Sequence, residues 1–301
     1  MEALAIFGPT AVGKTSVAIE VAALLRERGE DPVAVNCDSM QVYRGLEILS
    51  GAASPEERGR LEHRLVGSVP VTEEFSAGRF AELAHAEVDG LLSAGRRPIV
   101  VGGTGLYLRA ALADLELRPP VAAGVRDAVE RELAERGPEA LHAELEPALA
   151  AAVHPNDRKR IARMTELVRS GIEPHASSEG LWTQALRHPT TLVGITCEPD
   201  ELDRRIDQRG DAMVAAGAEA EVRAADAAGA SRTARAAIGF EELLAGDAEA
   251  MKHAQRRFAR RQLTWMRRMP GVEVVDRTGL SDLDAAWRVS AAIPGFPATA
   301  G

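Results

Sequence analysis

Gly8-Pro9-Thr10-Ala11-Val12-Gly13-Lys14-Thr15 lies between the apolar run Ala3-Leu4-Ala5-Ile6-Phe7 and the stretch Ser16-Val17-Ala18-Ile19-Glu20-Val21-Ala22-Ala23-Leu24-Leu25. A strand therefore feeds a Gly-rich turn that opens a helix, the setting of a phosphate-binding P-loop. The glycines let backbone N–H groups converge on an anion, the helix N-terminus adds the positive end of its dipole, and Lys14 can reach terminal phosphate oxygens. Thr15 would offer its hydroxyl to Mg²⁺. The chain has 36 lysines and arginines, of which only Lys14, Lys159 and Lys252 are lysines. A lysine kept in the loop indicates that a compact point charge is wanted there rather than a planar fork.

The 301 residues can bury a substantial core as one large α/β domain or as a core with an insertion. Only the Gly/Pro/Ala tail from Pro294 onward suggests disorder. Hydrophobic content is 46% without any apolar run near the ~18 residues of a membrane span, so no membrane partner is expected. The N-terminus enters a strand at its third residue without a basic leader, which argues against secretion. Cys37 and Cys197 lack metal-type spacing and read as reduced thiols of a cytoplasmic protein. The net charge of −9 argues against nucleic acid on average. Yet Lys252, Arg256, Arg257, Arg260, Arg261, Arg267 and Arg268 fall in one stretch without an acid. Such a basic patch on an acidic body directs a polyanion to one face.

Further strands are expected at Pro32–Cys37, Arg97–Val101, Thr190–Thr196 and Gly271–Val275. Asp38 follows the first of these runs and Gly102-Gly103-Thr104-Gly105 the second. Both should therefore sit at the carboxyl edge of a parallel sheet, where such sheets bind ligands. Asp38 is a candidate base beside bound phosphates, and alternatively a capping residue. Ser50–Val71 reads as a loop with one short helix near Pro55–Leu61. Ser76–Ser93, Pro199–Ala228 with a break at Gly217, Phe240–Leu244 and Ala248–Met269 show helical patterns. From Arg118 to about Arg187 the alternation of strand and helix stops. Helices are expected there at Arg126–Arg136, Pro138–Glu144, Pro147–Ala152 and Arg158–Ser170, the last with a basic face. The expected fold is an α/β P-loop core, a mostly parallel sheet flanked by helices, with an all-helical insertion. Its parts are the first half of the core at 1–117, the insertion at 118–187, and the core continuation at 188–301.

Several ordered blocks resemble the bacterial tRNA dimethylallyltransferase family. They are Gly8–Thr15, Asp38-Ser39-Met40-Gln41-Val42-Tyr43-Arg44-Gly45, Val101-Gly102-Gly103-Thr104-Gly105-Leu106-Tyr107, His154-Pro155-Asn156-Asp157-Arg158-Lys159-Arg160 and Arg260-Arg261-Gln262-Leu263-Thr264-Trp265. A weaker block comprises Arg205, Ile206, Arg209, Met213, Gly217 and Glu221. The resemblance implies transfer of a dimethylallyl group from dimethylallyl diphosphate to the exocyclic amine of the adenosine 3′ of the anticodon. Gly8, Thr10, Ala11, Val12, Gly13, Lys14 and Thr15 would then hold the pyrophosphate, with Thr15 on Mg²⁺. Asp38 would take the amine proton, and Thr104 and Arg209 would complete the catalytic set. The same resemblance places Asp38, Ser39, Met40, Gln41, Thr104, Arg126, Lys159, Arg160 and Arg163 against the tRNA anticodon loop. Arg256, Arg260 and Arg261 join them as a backbone-contacting surface of a protein expected to act as a monomer.

Three segments depart from the family pattern. Ser50-Gly51-Ala52-Ala53 stands for Thr-Ala-Lys-Pro, His63-Arg64-Leu65-Val66-Gly67 for His-His-Leu-Ile-Asp, and Ala236-Ala237-Ile238-Gly239-Phe240-Glu241-Glu242 for Gln-Ala-Ile-Gly-Tyr-Lys-Glu. Three other readings stay open. An ATP-binding P-loop kinase of a small metabolite leaves the insertion and the basic stretch unused. A transferase acting on free adenine nucleotides has no need of an extended basic surface. A divergent copy could bind tRNA without catalysis.

Overall fold

Branched apolar runs fix the sheet, since strands buried on both faces are near-continuously hydrophobic. The computed structural model describes residues 2–174 and 185–297. Its strands are β1 (Ala3–Phe7), β2 (Pro32–Asn36), β3 (Tyr43–Arg44), β4 (His63–Arg64), β5 (Val69–Pro70), β6 (Arg97–Gly102), β7 (Thr190–Thr196) and β8 (Glu273–Asp276). Among the described residues, six strands make one sheet in the order β4-β2-β6-β1-β7-β8. Every pairing in it is parallel, with Leu4 opposite both Ile99 and Thr191 in the centre. Strands β3 and β5 pair separately. All six carboxyl ends consequently share one edge, where residues 8, 37, 103 and 277 continue the chain after β1, β2, β6 and β8.

The helices are α1 (Lys14–Glu27), α2 (Glu47–Ser50), α3 (Pro55–Arg60), α4 (Ala77–Ser93), α5 (Gly105–Leu112), α6 (Ala123–Arg136), α7 (Pro138–Ala143), α8 (Pro147–Ala151) and α9 (Arg158–Arg169). Then come α10 (Pro199–Ala215), α11 (Ala218–Ala227), α12 (Arg232–Arg235), α13 (Phe240–Leu244), α14 (Ala248–Arg268) and α15 (Asp282–Ala291). The chain divides into two compact units, residues 1–114 with 184–301 and residues 115–183. In the first, Leu4, Ile6, Val17, Val21, Leu25, Ile99, Val193, Ile195 and Val289 form the core. Each fully buried aliphatic side chain of this kind contributes about 1.5–3 kcal/mol. The second unit has its own core of Val129, Leu133, Leu141, Val153, Ile161 and Ala162.

The sheet and its flanking helices match the α/β expectation. The helix expected over Pro199–Ala228 breaks at Gly217, whose φ of 97° is left-handed and starts α11 afresh. Ser50–Val71 is more than a loop with a helix. It also supplies β4, which pairs with β2 and adds a sixth strand, and β5. Two-residue strands carry no periodicity that a sequence could display. The tail expected to be disordered from Pro294 is packed over its described part. Phe296 meets Trp287 edge-on at 5.8 Å and lies 4.8 Å below the Arg28 guanidinium. Residues 298–301 lie outside the described residues, as do 175–184 of the expected insertion.

Candidate active site

The turn after β1 is tightly bound to its surroundings. A side chain at Gly8 would stand 2.6 Å from the Ile195 carbonyl oxygen, so only glycine lets the loop pass the end of β7. Ala11 and Gly13 have φ of 63° and 90°. For alanine this left-handed conformation costs roughly 1–2 kcal/mol, and such strain persists only where neighbours over-determine it. Lys14 Nζ donates to the Pro9 carbonyl at 2.9 Å, and Thr10 N–H donates to Gln262 Oε1 at 2.8 Å. The α1 N-cap, Gly13, has no side-chain cap, and no acid occupies the first turn. The free N–H groups there suit an anion.

Two more carboxyl-edge turns meet this loop. Gln262, 3% exposed on α14, bridges them by donating Nε2–H to the Gly103 carbonyl (2.8 Å) while accepting from Thr10. A side chain at Gly103 would come within 3.0 Å of the Gly8 carbonyl oxygen, and one at Gly105 would collide with the Trp265 indole. Thr104 starts α5, and its buried hydroxyl has no partner among the described residues. Buried hydroxyls are normally satisfied, so this one is open to a water or a ligand. On the other side, Asn36 holds the turn that carries Asp38. Its Oδ1 accepts from Asp38 N–H (2.9 Å), and its Nδ2 donates to the carbonyls of Asp38 and Leu65. Asp38 Oδ1 in turn accepts from Met40 N–H (2.9 Å), so the carboxylate does cap its own turn.

The charges at this edge interact. Burial pulls Lys14 down to about 8, and the nearby Arg209 lowers it further while Asp38 and Cys37 oppose the fall. The side chain is only partly covered from solvent, but its ammonium turns inward against Pro9. Burial also lowers Arg209, which Asp38 counteracts; an arginine nonetheless keeps its charge. Arg209 Nη1 donates to Thr10 Oγ1 (2.8 Å) and Nη2 to the Ser50 carbonyl (3.1 Å). Burial pushes the Cys37 thiol well up, so it stays neutral. Lys14, Asp38 and Arg209 thus share one electrostatic neighbourhood at the mouth of the P-loop.

The basic stretch divides into two sets on α14. Lys252 is buried and paired with Glu249 (2.8 Å) and Asp211 (2.5 Å), and Arg256 is paired with Asp207 of α10. Arg257, Arg260, Arg261, Arg267 and Arg268 are exposed, with the Arg261 guanidinium 5.5 Å from the Phe258 ring centre. The helical unit carries the other candidates. Lys159 and Arg160 are exposed on α9. Arg163 donates to the Arg118 and Pro119 carbonyls and pairs with Glu166, which also meets Arg126 at 3.6 Å. Among the described residues, no helix is long and apolar enough to cross a membrane.

A family model described as IPP transferase matches residues 41–269. The chain belongs to the IPP transferase family. It is 40% identical over 283 residues to a tRNA dimethylallyltransferase of Thermobifida fusca, covering 89% of this chain and 88% of that protein. To the corresponding protein of Kineococcus radiotolerans it is 40% identical over 307 residues, covering 97% and 96%. The crystal structure of the tRNA isopentenylpyrophosphate transferase of Bacillus halodurans matches with 30% identity and a TM-score of 0.68 over 97% of this chain and 96% of that one. A eukaryotic dimethylallyltransferase described as acting on tRNA matches with 25% identity and a TM-score of 0.71, over 92% and 74%.

Where this IPP transferase departs from the family's residues, two of the three segments work through their main chain. Gln41 Nε2 donates to the carbonyls of Ser50 (3.4 Å) and Gly51 (3.2 Å). Gly51 ends α2 with φ 59°, and a side chain there would strike the Arg209 guanidinium. Leu65 offers its carbonyl to Asn36, and Gly67 N–H donates to the Gln41 carbonyl (2.9 Å). In the third segment Glu241 pairs with Arg235 at 2.9 Å. Gln262 and Asn36 are the functional candidates that residue-by-residue reading left out. Gln262 had a visible signal, a polar residue on the same face as Ala259 and Met266.

Proposed function

We propose that this chain transfers a dimethylallyl group from dimethylallyl diphosphate to the exocyclic amine of the adenosine 3′ of the anticodon in tRNA. The observation that carries this reading is the P-loop turn, with Lys14 held on the Pro9 carbonyl and Arg209 on the Thr10 hydroxyl, and the Asp38 carboxylate in the same electrostatic neighbourhood. A P-loop that holds a pyrophosphate needs cations where charge grows on the leaving group, and Lys14 and Arg209 supply them. The adenine amine is a weak nucleophile because its lone pair is delocalised into the ring. As its nitrogen bonds to the allylic carbon and the carbon–oxygen bond to pyrophosphate breaks, Asp38 accepts the amine proton. The Met40 N–H bond to Oδ1 fixes the orientation of that carboxylate.

Gly8, Thr10, Ala11, Val12, Gly13, Lys14 and Thr15 hold the pyrophosphate. Thr104, whose buried hydroxyl lacks a protein partner, and Ser39, Met40 and Gln41 receive the adenosine and its neighbours. Mg²⁺ fits this donor set. It takes few protein ligands and several phosphate oxygens, and the Thr15 hydroxyl in the first turn of α1 is a hard oxygen of the kind it accepts. Thr15 would hold it, and when bound it neutralises charge on the pyrophosphate. Delivering one base requires unstacking a loop nucleotide, a cost of a few kcal/mol offset by contacts to its edges and face. Arg126, Lys159, Arg160 and Arg163 of the helical unit, and Arg260 and Arg261 of α14, would bind the RNA, whereas Arg256 of the expected set is held by Asp207. Arg260 and Arg261 suit backbone contact because they are exposed. The chain acts as a monomer in the cytoplasm on this reading, in accord with its two free, buried thiols.

Incubating the protein with labelled dimethylallyl diphosphate and an unmodified tRNA transcript with adenosines 3′ of the anticodon tests the proposal. Label should appear in the tRNA and vanish with Asp38→Ala. Label in free nucleotides instead, or hydrolysis of ATP without transfer, would replace this reading by one of the other P-loop chemistries.

A further inference from the structure

Arg277 has no part in the chemistry described so far, yet it reaches the P-loop from the interior. It follows β8 directly and is 2% exposed. Its Nη1 donates to the Val12 carbonyl (2.9 Å) and Nη2 to the Leu280 carbonyl (3.3 Å), and its charge is paired with Asp282 of α15 at 2.9 Å. The main chain is fixed as well, Arg277 N–H donating to the Thr196 carbonyl at 2.9 Å. The guanidinium lies so close to Gly13 that any side chain there would strike Nη1.

This contact bears on the direction of a neighbouring N–H. In a trans peptide the carbonyl and the following N–H point to opposite sides. Holding the Val12 carbonyl from the interior therefore turns the Gly13 N–H to the other side, away from Arg277. That peptide joins a residue beside the strained Ala11 (φ 63°) to the left-handed Gly13 (φ 90°). The Ala11 conformation is one the loop would not keep without an anchor, while glycine at 13 adopts its own freely. Stability alone is a poor account of the residue. Buried ion pairs contribute little net stability, and Arg277 Nε has no hydrogen-bond partner among the described residues.

We propose that Arg277 is a positioning residue that fixes the Val12–Gly13 peptide and so presets the P-loop for the donor's pyrophosphate. The inference rests on the reading of the P-loop as the pyrophosphate site. It makes the last strand and α15 part of the donor site's support, with no contact to the donor itself. Preorganised anion donors bind better because the ordering cost precedes binding.

Calorimetric titration of the whole protein with pyrophosphate in magnesium buffer tests it, beside titration with an anticodon stem-loop and a thermal melt. In Arg277→Met, pyrophosphate affinity should fall by about tenfold or more, the loss of one well-placed hydrogen bond, while stem-loop affinity stays within about twofold. Asp282→Asn, which leaves the Val12 bond in place, should bind pyrophosphate within about threefold of wild type. If Arg277→Met does not fold, the double variant Arg277→Met with Asp282→Leu, an apolar replacement of the pair, takes its place with the same expectation. Unchanged pyrophosphate affinity in a folded Met variant overturns the positioning role and leaves the pyrophosphate reading intact. Equal losses of pyrophosphate and stem-loop affinity also overturn it, since they mean general loosening. Failure of the wild type to bind pyrophosphate defeats the site reading, and Arg277's role with it.

Discussion

Replacing Gln262 by methionine keeps the side chain's length and removes both of its polar contacts. The amide is 3% exposed and joins two turns, accepting from Thr10 N–H and donating to the Gly103 carbonyl, each at 2.8 Å. Gly103 is buried, so its carbonyl would lose its partner with little chance of water replacing it, a cost of about 1–2 kcal/mol. Thr10 is only half-buried, and its N–H can recruit water or ligand, which limits that loss to roughly 0.5 kcal/mol. Together the change should cost about 2 kcal/mol, or roughly 4–8 °C in melting temperature for a unit of this size. Guanidinium denaturation followed by tryptophan fluorescence measures it, because Trp265 packs on Gly105 beside the same turn. The affinity for pyrophosphate should fall as well, since the P-loop loses one of its fixed points. A folded Gln262→Met protein within about 0.5 kcal/mol of wild type would refute the reasoning, showing that the two turns hold each other without the amide.

Other perturbations separate the remaining parts of the site. Asp38→Asn should lower transfer by about 10²–10⁴-fold with pyrophosphate and tRNA binding retained; undiminished turnover removes Asp38 as the base. Lys14 titrates near 8 in the free protein, so its contribution to pyrophosphate affinity should be intact below pH 8 and decline above it, seen as a wild-type slope that Lys14→Met lacks. Because the unfolded chain holds that proton to higher pH, the ligand-free protein should gain stability between about pH 8 and 10. Converting Arg260 and Arg261 to glutamine should make tRNA binding less sensitive to salt, the log–log slope becoming shallower by about 0.7 for each phosphate that is no longer neutralised. Arg256→Gln should instead act mainly on stability, because Asp207 is left without its partner.

How much of this was legible beforehand depended on whether a feature is local. The β1 and β2 runs are buried at every position, so their apolar sequences announced the sheet and thereby the edge that carries Gly8 and Asp38. The P-loop was legible for the same reason, a strand, a turn and a helix within 25 residues. Strand β4 was not, because its two residues are placed by pairing with β2 and by Ala34 N–H donating to the Glu62 carbonyl. Helix α15 had only a short Ser281–Asp284 capping signal, and it is held by packing on α1 from the far end of the chain. The basic stretch showed its charges but not their partners. Asp211 and Asp207 lie on α10, more than 40 residues away in sequence, and they withdraw Lys252 and Arg256 from the free set. Arg277 and Gln262 reach the P-loop across still larger separations; Gln262 at least stood out as a polar residue on an apolar helix face, whereas nothing adjacent to Arg277 marked it.

The most direct measurement is mass analysis of an unmodified tRNA after incubation with the protein, Mg²⁺ and dimethylallyl diphosphate, with fragments mapped to position. The account predicts one dimethylallyl group on the adenosine 3′ of the anticodon, absent when Asp38→Ala replaces the wild type. A tRNA that binds yet stays unmodified, or a group carried at another position, would contradict it.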